Sequence, residues 1–421
     1  MTSRTIERRA DYTAANDARM LLSAAAVRHS ADRILTLALD GLLDDWVVDL
    51  DLLPLTADFV ASVVRERYPH ADPPLHARWR HFVFAGRDLW REIATSRQWR
   101  DPAAAARAAI DLVTTSVLLD AGASAGWRYH DVDTGLIATR SEGLALASLR
   151  WFQSGSLSDD PLDPLRVDAA ALKRIDTRSL QEAFQSTATD PLLGSEGRAA
   201  LLNRLGAALQ ARPELFALND LPRPGGLFDA FTLRAHNGVL RASVILETLL
   251  DGLGSIWADR PILDGVPLGD CWLHPALQGA TSAQCYAPLH KLSQWLTYSL
   301  IEPLEMAGIG VCGIEELTGL AEYRNGGLFV DTGVIMPRDR GAWSQSYAVS
   351  DPFVVGWRAL TIALLDRLAP PVRTRLGVAP EAFPLACMLE GGTWAAGRQI
   401  ARERRANGSP PFSILSDGTV F

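Results

Sequence analysis

Residues 289–306 read LHKLSQWLTYSLIEPLEM. Leu289, Leu292, Leu296 and Leu300 recur at three- and four-residue steps and line one side of a helix, while His290, Lys291, Gln294 and Tyr298 fall on the other. Pro303 bends or ends it, because proline lacks the N–H that continues the ladder. The plainer account of the polar side is a solvated face. Against that, Trp295, Thr297 and Ile301 leave little surface of solvent-washed character, so the polar side is a candidate pocket lining.

The same period appears outward in both directions. Segments 17–49, 56–68, 76–97, 102–120, 141–151, 168–187, 195–212, 238–251, 352–369 and 381–404 are expected to be helical. In the first of them Ser30 is the expected N-cap, with Asp32 in the first turn. Strand-like material is sparse: LFVDTGVIM (328–336) resembles a short strand, residues 122–136 form a Gly-rich loop, and Asp417-Gly418 signals a tight turn. The fold class is therefore all-α or nearly so, a large multi-helix globular protein with a few short strands in Gly-rich loops. The polar, proline-marked stretch 154–168 suggests an N-terminal helical region, 1–155, and a C-terminal one, 156–421, carrying most of the candidate site. One compact domain is the alternative.

Composition narrows the function classes. With 48% hydrophobic and 21% charged residues among 421, a substantial core is expected. A formal charge of -8 argues against nucleic acid as the partner. No stretch of about 18 apolar residues suggests a membrane span, and the polar start, MTSRTIERRADYTAAND, shows no secretory signal. Four cysteines make no disulfide framework, so a cytoplasmic location is expected. Apolar helices on this scale leave a homodimer open. Of 41 cationic residues only Lys173 and Lys291 are lysines. In so arginine-biased a chain, Lys291 marks a place where a compact, titratable ammonium is needed.

Several longer phrases then carry a resemblance. They are His290 to Tyr298 (HKLSQWLTY), Leu317-Thr318-Gly319-Leu320 running into Glu322-Tyr323-Arg324-Asn325-Gly326-Gly327, Asp351-Pro352-Phe353, Trp357 to Thr361 (WRALT), Glu390 to Arg398 (EGGTWAAGR) and the terminal Ser416 to Phe421 (SDGTVF). Together they resemble the uracil-catabolism protein four family, over most of the chain and most densely from about residue 220 onward. The resemblance implies work in a pathway that converts uracil to a ribonucleotide, opens the pyrimidine and releases urea through a ribosyl-urea compound. A step that splits urea from the sugar is the expected task. The resemblance assigns no catalytic residues, so candidates come from chemistry.

Cleavage of an N-ribosyl bond passes through an oxocarbenium-like state, which needs a carboxylate near the sugar and an acid for the leaving nitrogen. A phosphorylated sugar also needs Arg, Lys or a helix N-terminus. The richest cluster is 322–331, where Glu322 is the candidate proton donor, Asp331 a candidate for the stabilising carboxylate, and Tyr323, Arg324 and Asn325 candidate substrate contacts; the plainer account is an ion pair pinning a Gly turn. Asp229, after the Pro-Gly-Gly run, is the other candidate carboxylate, with an N-cap as its plainer role. Lys291, Arg324 and Arg358 are candidates to hold a phosphate, with His290, Gln294, Tyr298, Trp357 and Glu142 as further lining. Arg398 beside Trp394 binds phosphate or simply stacks on the ring.

Two metal patterns are weak. Cys271, His274, Cys285 and His290 have zinc-type donors, but the spacing fits no common finger. His130-Asp131, with His81 upstream, resembles the His-Asp pair of metal phosphohydrolases but sits in a loop. Neither Walker A, G-x-G-x-x-G after a strand, nor G-x-S-x-G is present, so no cofactor is expected. The expected partner is a small molecule: ribosyl-urea, its 5′-phosphate or a pyrimidine nucleotide derivative. Two other classes stay open, a metal-dependent amidohydrolase opening a pyrimidine nucleotide and a non-catalytic helical partner of the pathway's cyclohydrolase-like enzyme.

Overall fold

The computed structural model describes residues 15–120, 122–123 and 126–415; the Asp417-Gly418 turn and the terminal phrase lie outside them. The protein is mainly helical, and its strands, two or three residues long, pair two by two among the described residues. No described helix is long and apolar enough to cross a membrane.

The chain forms two compact units, and neither is a continuous stretch. One comprises the residues up to His76 together with 259–294 and 314–415; the other comprises 77–258 and 295–313.

In the first unit, helices Ala24–Leu39 and Leu53–Arg67 pack against the long helix Pro352–Leu376. Ala24–Leu39 starts because the Ser23 hydroxyl accepts the Ala26 N–H at 3.2 Å, and it buries Val27, Ala31, Ile34, Leu35 and Ala38. The cap is thus Ser23, and Ser30 lies buried inside the helix. Pro352–Leu376 opens with Asp351, whose carboxylate accepts the Phe353 N–H at 2.9 Å, and closes on Gly377 at φ +72°. It runs through Pro370 and Pro371, beyond the expected end at 369. Trp46, Phe353, Trp357 and Phe412 form an aromatic core, with Trp46 stacked on Phe353 at 4.4 Å and its indole N–H donating to the Phe353 carbonyl at 3.0 Å. Trp46–Val48 pairs antiparallel with Ile335–Pro337.

The second unit is built on Pro102–Leu118, started by the Asp101 side chain accepting the Ala104 N–H and by Pro102 in the first turn, and buried on nearly every face. Buried Asp111 on this helix accepts the Arg223 guanidinium and the Gly225 N–H (2.6 Å). The Pro224–Gly226 turn can pack this closely only because it is glycine: a Cβ on Gly226 would stand 2.2 Å from the Phe216 carbonyl oxygen.

Several expected elements are corrected: 168–187 is two short helices, Ala169–Leu172 and Thr177–Ala183, and 17–49 ends in the strand Trp46–Val48. Residues 76–97 are not one helix: a turn at Ala85 and Gly86, φ +54° and +75°, makes a hairpin between Val83–Phe84 and Arg87–Asp88 before helix Leu89–Ser96. The last helix is divided into Leu385–Met388, a π turn Leu389–Thr393 and Trp394–Arg404. Residues 322–331, expected to be a Gly loop running into a strand, are instead helix Tyr323–Asp331. Glycine suits that helix because the indole of Trp357 lies against it: a Cβ on Gly326 would be 2.7 Å from the ring nitrogen.

Candidate functional site

A short hairpin builds the floor of the site. Cys271–Leu273 pairs antiparallel with Tyr286–Pro288, with Cys271 opposite Pro288. The preceding residue, Asp270, is thereby carried under the start of helix Lys291–Met306. Its carbonyl accepts the Leu289 and His290 N–H groups (2.9 and 3.0 Å), and its carboxylate accepts the Lys291 N–H at 3.1 Å. The carboxylate therefore satisfies one of the orphan donors of a helix N-terminus. It also takes both terminal nitrogens of Arg358 at 2.7 Å and the Trp272 indole N–H at 2.9 Å. Burial alone would raise the pKa of such a carboxyl, but Arg358 overrides burial and holds Asp270 well below the usual carboxylate range.

His290 sits between floor and helix in a left-handed conformation, φ +45°. Only a few per cent of non-glycine residues have positive φ, and such strain persists where the surroundings enforce it. Here the N–H bond to Asp270 and the ring Nε2 contact to the Leu21 carbonyl (2.9 Å) enforce it. Burial pushes the imidazole pKa down, which favours the neutral ring. The kink sets the direction of Lys291, the first residue of the helix.

Arg358 links this floor to a second element. Its Nε donates to the Ala321 carbonyl at 3.1 Å. The next residue, Glu322, is the N-cap of Tyr323–Asp331, accepting the Arg324 and Asn325 N–H groups at 2.7 and 2.6 Å. Glu322 is 7% exposed. Burial pushes its carboxyl above the ordinary range, with the two helix N–H groups and the Lys291 ammonium pulling the other way. Asn325 donates to the Leu320 carbonyl at 3.2 Å, and its Oδ1 is buried with no hydrogen-bond partner among the described residues. Gln294 closes the group: its Oε1 accepts the Thr318 N–H at 2.9 Å and its amide donates to the Thr318 hydroxyl.

Of the residues singled out in the sequence, His290, Lys291, Gln294, Glu322, Asn325 and Arg358 thus belong to one connected polar network in the first unit. Tyr323 and Arg324 adjoin it, with the guanidinium 4.7 Å from the Tyr323 ring and donating to the Gly408 carbonyl at 2.8 Å. Trp357 is core, packed on Gly326. Asp331 lies at the far end of the Tyr323–Asp331 helix, nine residues and about 13 Å from Glu322 at the helical rise. That exceeds the spacing of about 5–9.5 Å at which paired carboxylates cleave glycosidic bonds. Both its oxygens are taken by Arg405, at 2.7 and 2.6 Å. Asp229 is in the second unit, bidentate to Arg107 at 2.6 and 2.9 Å. Tyr298 and Glu142 also belong to that unit, Tyr298 fully buried and Glu142 near enough to Arg78 to favour its charge. Asp270 was not among the sequence candidates. No local pattern announces it, since its main partner is 88 residues away.

Among the described residues no group of three or more His, Cys, Asp or Glu side chains is arranged to hold a metal ion. Cys271, His274, Cys285 and His290 are not gathered into one. His274 Nδ1 accepts the Ala276 N–H at 3.2 Å, and the His290 ring Nε2 meets the Leu21 carbonyl at 2.9 Å.

Residues 20–421 match the family described as "Protein of unknown function (DUF1688)". The chain is 38% identical over 409 residues to "Protein urg3" of Schizosaccharomyces pombe, covering 95% of this chain and 98% of that one. It is 36% identical over 420 residues to "Uracil catabolism protein 4" of Lachancea kluyveri, covering 91% and 93%.

Proposed function

The chain belongs to the DUF1688 family, and from that membership and its likeness to a protein named for uracil catabolism we propose that it acts in uracil catabolism as a hydrolase of the N-ribosyl bond of ribosyl-urea or its 5′-phosphate. The observation that carries this reading is Glu322, a buried carboxyl at the head of the Tyr323–Asp331 helix that burial pushes above the ordinary carboxylate range, together with Asn325 on the same helix end, whose Oδ1 is an open acceptor among the described residues. A general acid for a poor nitrogen leaving group needs its proton near neutral pH.

In this mechanism the C1′–N bond breaks with its electron pair going to the urea nitrogen, which takes the Glu322 proton. The carboxylate left behind stabilises the oxocarbenium ion. Water then adds to C1′, and its proton returns to Glu322, so urea and the free sugar leave and the acid is restored. Asn325 Oδ1 accepts a urea N–H, and Lys291 binds a sugar hydroxyl or phosphate oxygen. Arg358 acts through Asp270 as a positioning residue for the Lys291 turn.

Purified protein incubated with ribosyl-urea and its 5′-phosphate is expected to release urea, followed by a urease-coupled assay. Glu322→Gln is expected to lower turnover about 10²–10⁴-fold while leaving the circular dichroism spectrum intact. Because the acid form is the active one, turnover should hold above the ordinary carboxylate range and decline as pH rises through the raised pKa. Absence of urea under every condition tried would falsify the assignment; undiminished turnover in Glu322→Gln would remove Glu322 from it.

A further inference from the structure

Away from the Glu322 network, helix Trp394–Arg404 and the end of helix Leu53–Arg67 border a cleft of about 460 Å³. Arg67, Arg398 and Arg402 line it, with Trp394 and a single acid, Glu403. Arg398 and Arg402 are one helical turn apart, a spacing at which like charges repel and weaken a helix. Arg402 is exposed and makes no ion pair among the described residues. Glu403 is bound by the Gln399 amide at 3.2 Å. Glu390, the other nearby carboxylate, has His76 Nδ1 at 2.7 Å and the Arg67 guanidinium at 3.8 Å.

Two of the three cations are also oriented. The Arg398 guanidinium lies over the Trp394 ring at 5.0 Å. Arg67 Nη1 donates to the Glu390 carbonyl at 2.6 Å, a group presented to it by the π turn Leu389–Thr393. Such turns are rare and concentrate at functional sites. A cleft lined by three guanidinium groups and one acid, with Arg67 and Arg398 held in place and Arg402 outside any ion pair among the described residues, suits an oxyanion that takes several charge-assisted hydrogen bonds at once. Its volume is in the range of small-molecule sites, about 300–1,000 Å³.

We propose that this cleft binds the phosphate group of a small soluble phosphomonoester. The site is separate from the proposed acid, so its test reads binding and not urea release. Isothermal titration of the full chain uses inorganic phosphate, ribose 5-phosphate and, as control, ribose. Both phosphates are expected to bind and ribose is not. Arg402→Glu, at an exposed position that does not threaten the fold, is expected to weaken binding about tenfold or more, consistent with losing hydrogen bonds to a charged group. Arg67→Gln should weaken it as well, and Glu322→Gln should leave it unchanged. The proposal is overturned if neither phosphate binds, or if affinity survives Arg402→Glu. It is equally overturned if the chain sediments with phosphatidate vesicles while ignoring the soluble phosphates, which would make the cleft a lipid headgroup site.

Discussion

Asp270 accepts hydrogen bonds from buried Arg358 and Trp272 and from the half-buried Lys291 backbone. A buried ion pair of this kind contributes less than its Coulomb energy suggests, because both ions lose their hydration, yet removing one partner strands the other. Asp270→Ala is therefore expected to destabilise the protein by about 3–5 kcal/mol in urea melts. The double variant Asp270→Ala with Arg358→Met should recover much of that loss while still failing to orient Lys291. A single variant as stable as the parent would show the pair to be dispensable. Legibility at this scale followed distance along the chain. Lys291 stood out as a rare lysine on a polar helix side, and Glu322 as a carboxyl beside glycines. Asp331 and Asp229 were candidate catalytic carboxylates in the sequence, and the arginines that bind them, Arg405 and Arg107, are 74 and 122 residues away, beyond the reach of a local reading.

The Tyr323–Asp331 helix shows why local propensity misled. Two consecutive glycines, Gly326 and Gly327, each cost about 1 kcal/mol relative to alanine in a helix interior, and so signal a loop. Packing overrides that cost. Trp357 fills the space beside Gly326, and helix Trp394–Arg404 approaches so closely that a Cβ on Gly397 would stand 2.2 Å from the Arg324 carbonyl oxygen. The obstacle is backbone and cannot swing aside. Gly397→Ala, ordinarily a helix-favouring change, should instead cost about 3 kcal/mol, seen as a lower melting temperature and a faster loss of helicity on heating. Stabilisation by this substitution would mean that the two helices are not in contact in solution. By contrast, Pro102–Leu118, with its Asp101 cap and Pro102 in the first turn, and Lys291–Met306, with its leucine stripe, were readable directly, because there local and tertiary preferences agree.

For the whole chain, the mainly helical class followed from the sparseness of β-type alternation, whereas the division into units did not. A sequence suggests boundaries where composition changes, as at 154–168, but the units are assembled from separated segments. Fragments 1–155 and 156–421 are each expected to lack a cooperative urea transition and a native near-ultraviolet spectrum. Two-state unfolding of either fragment alone would overturn the division described here. The same interleaving has a consequence during synthesis. Helices Ala24–Leu39 and Leu53–Arg67 bury their apolar stripes against Pro352–Leu376, which is translated about 290–310 residues later. At roughly 5–20 residues per second, the ribosome exposes those stripes for about 15–60 s before their partner emerges. The yield of native protein should thus depend on elongation rate and on holdase chaperones far more than its final stability would suggest.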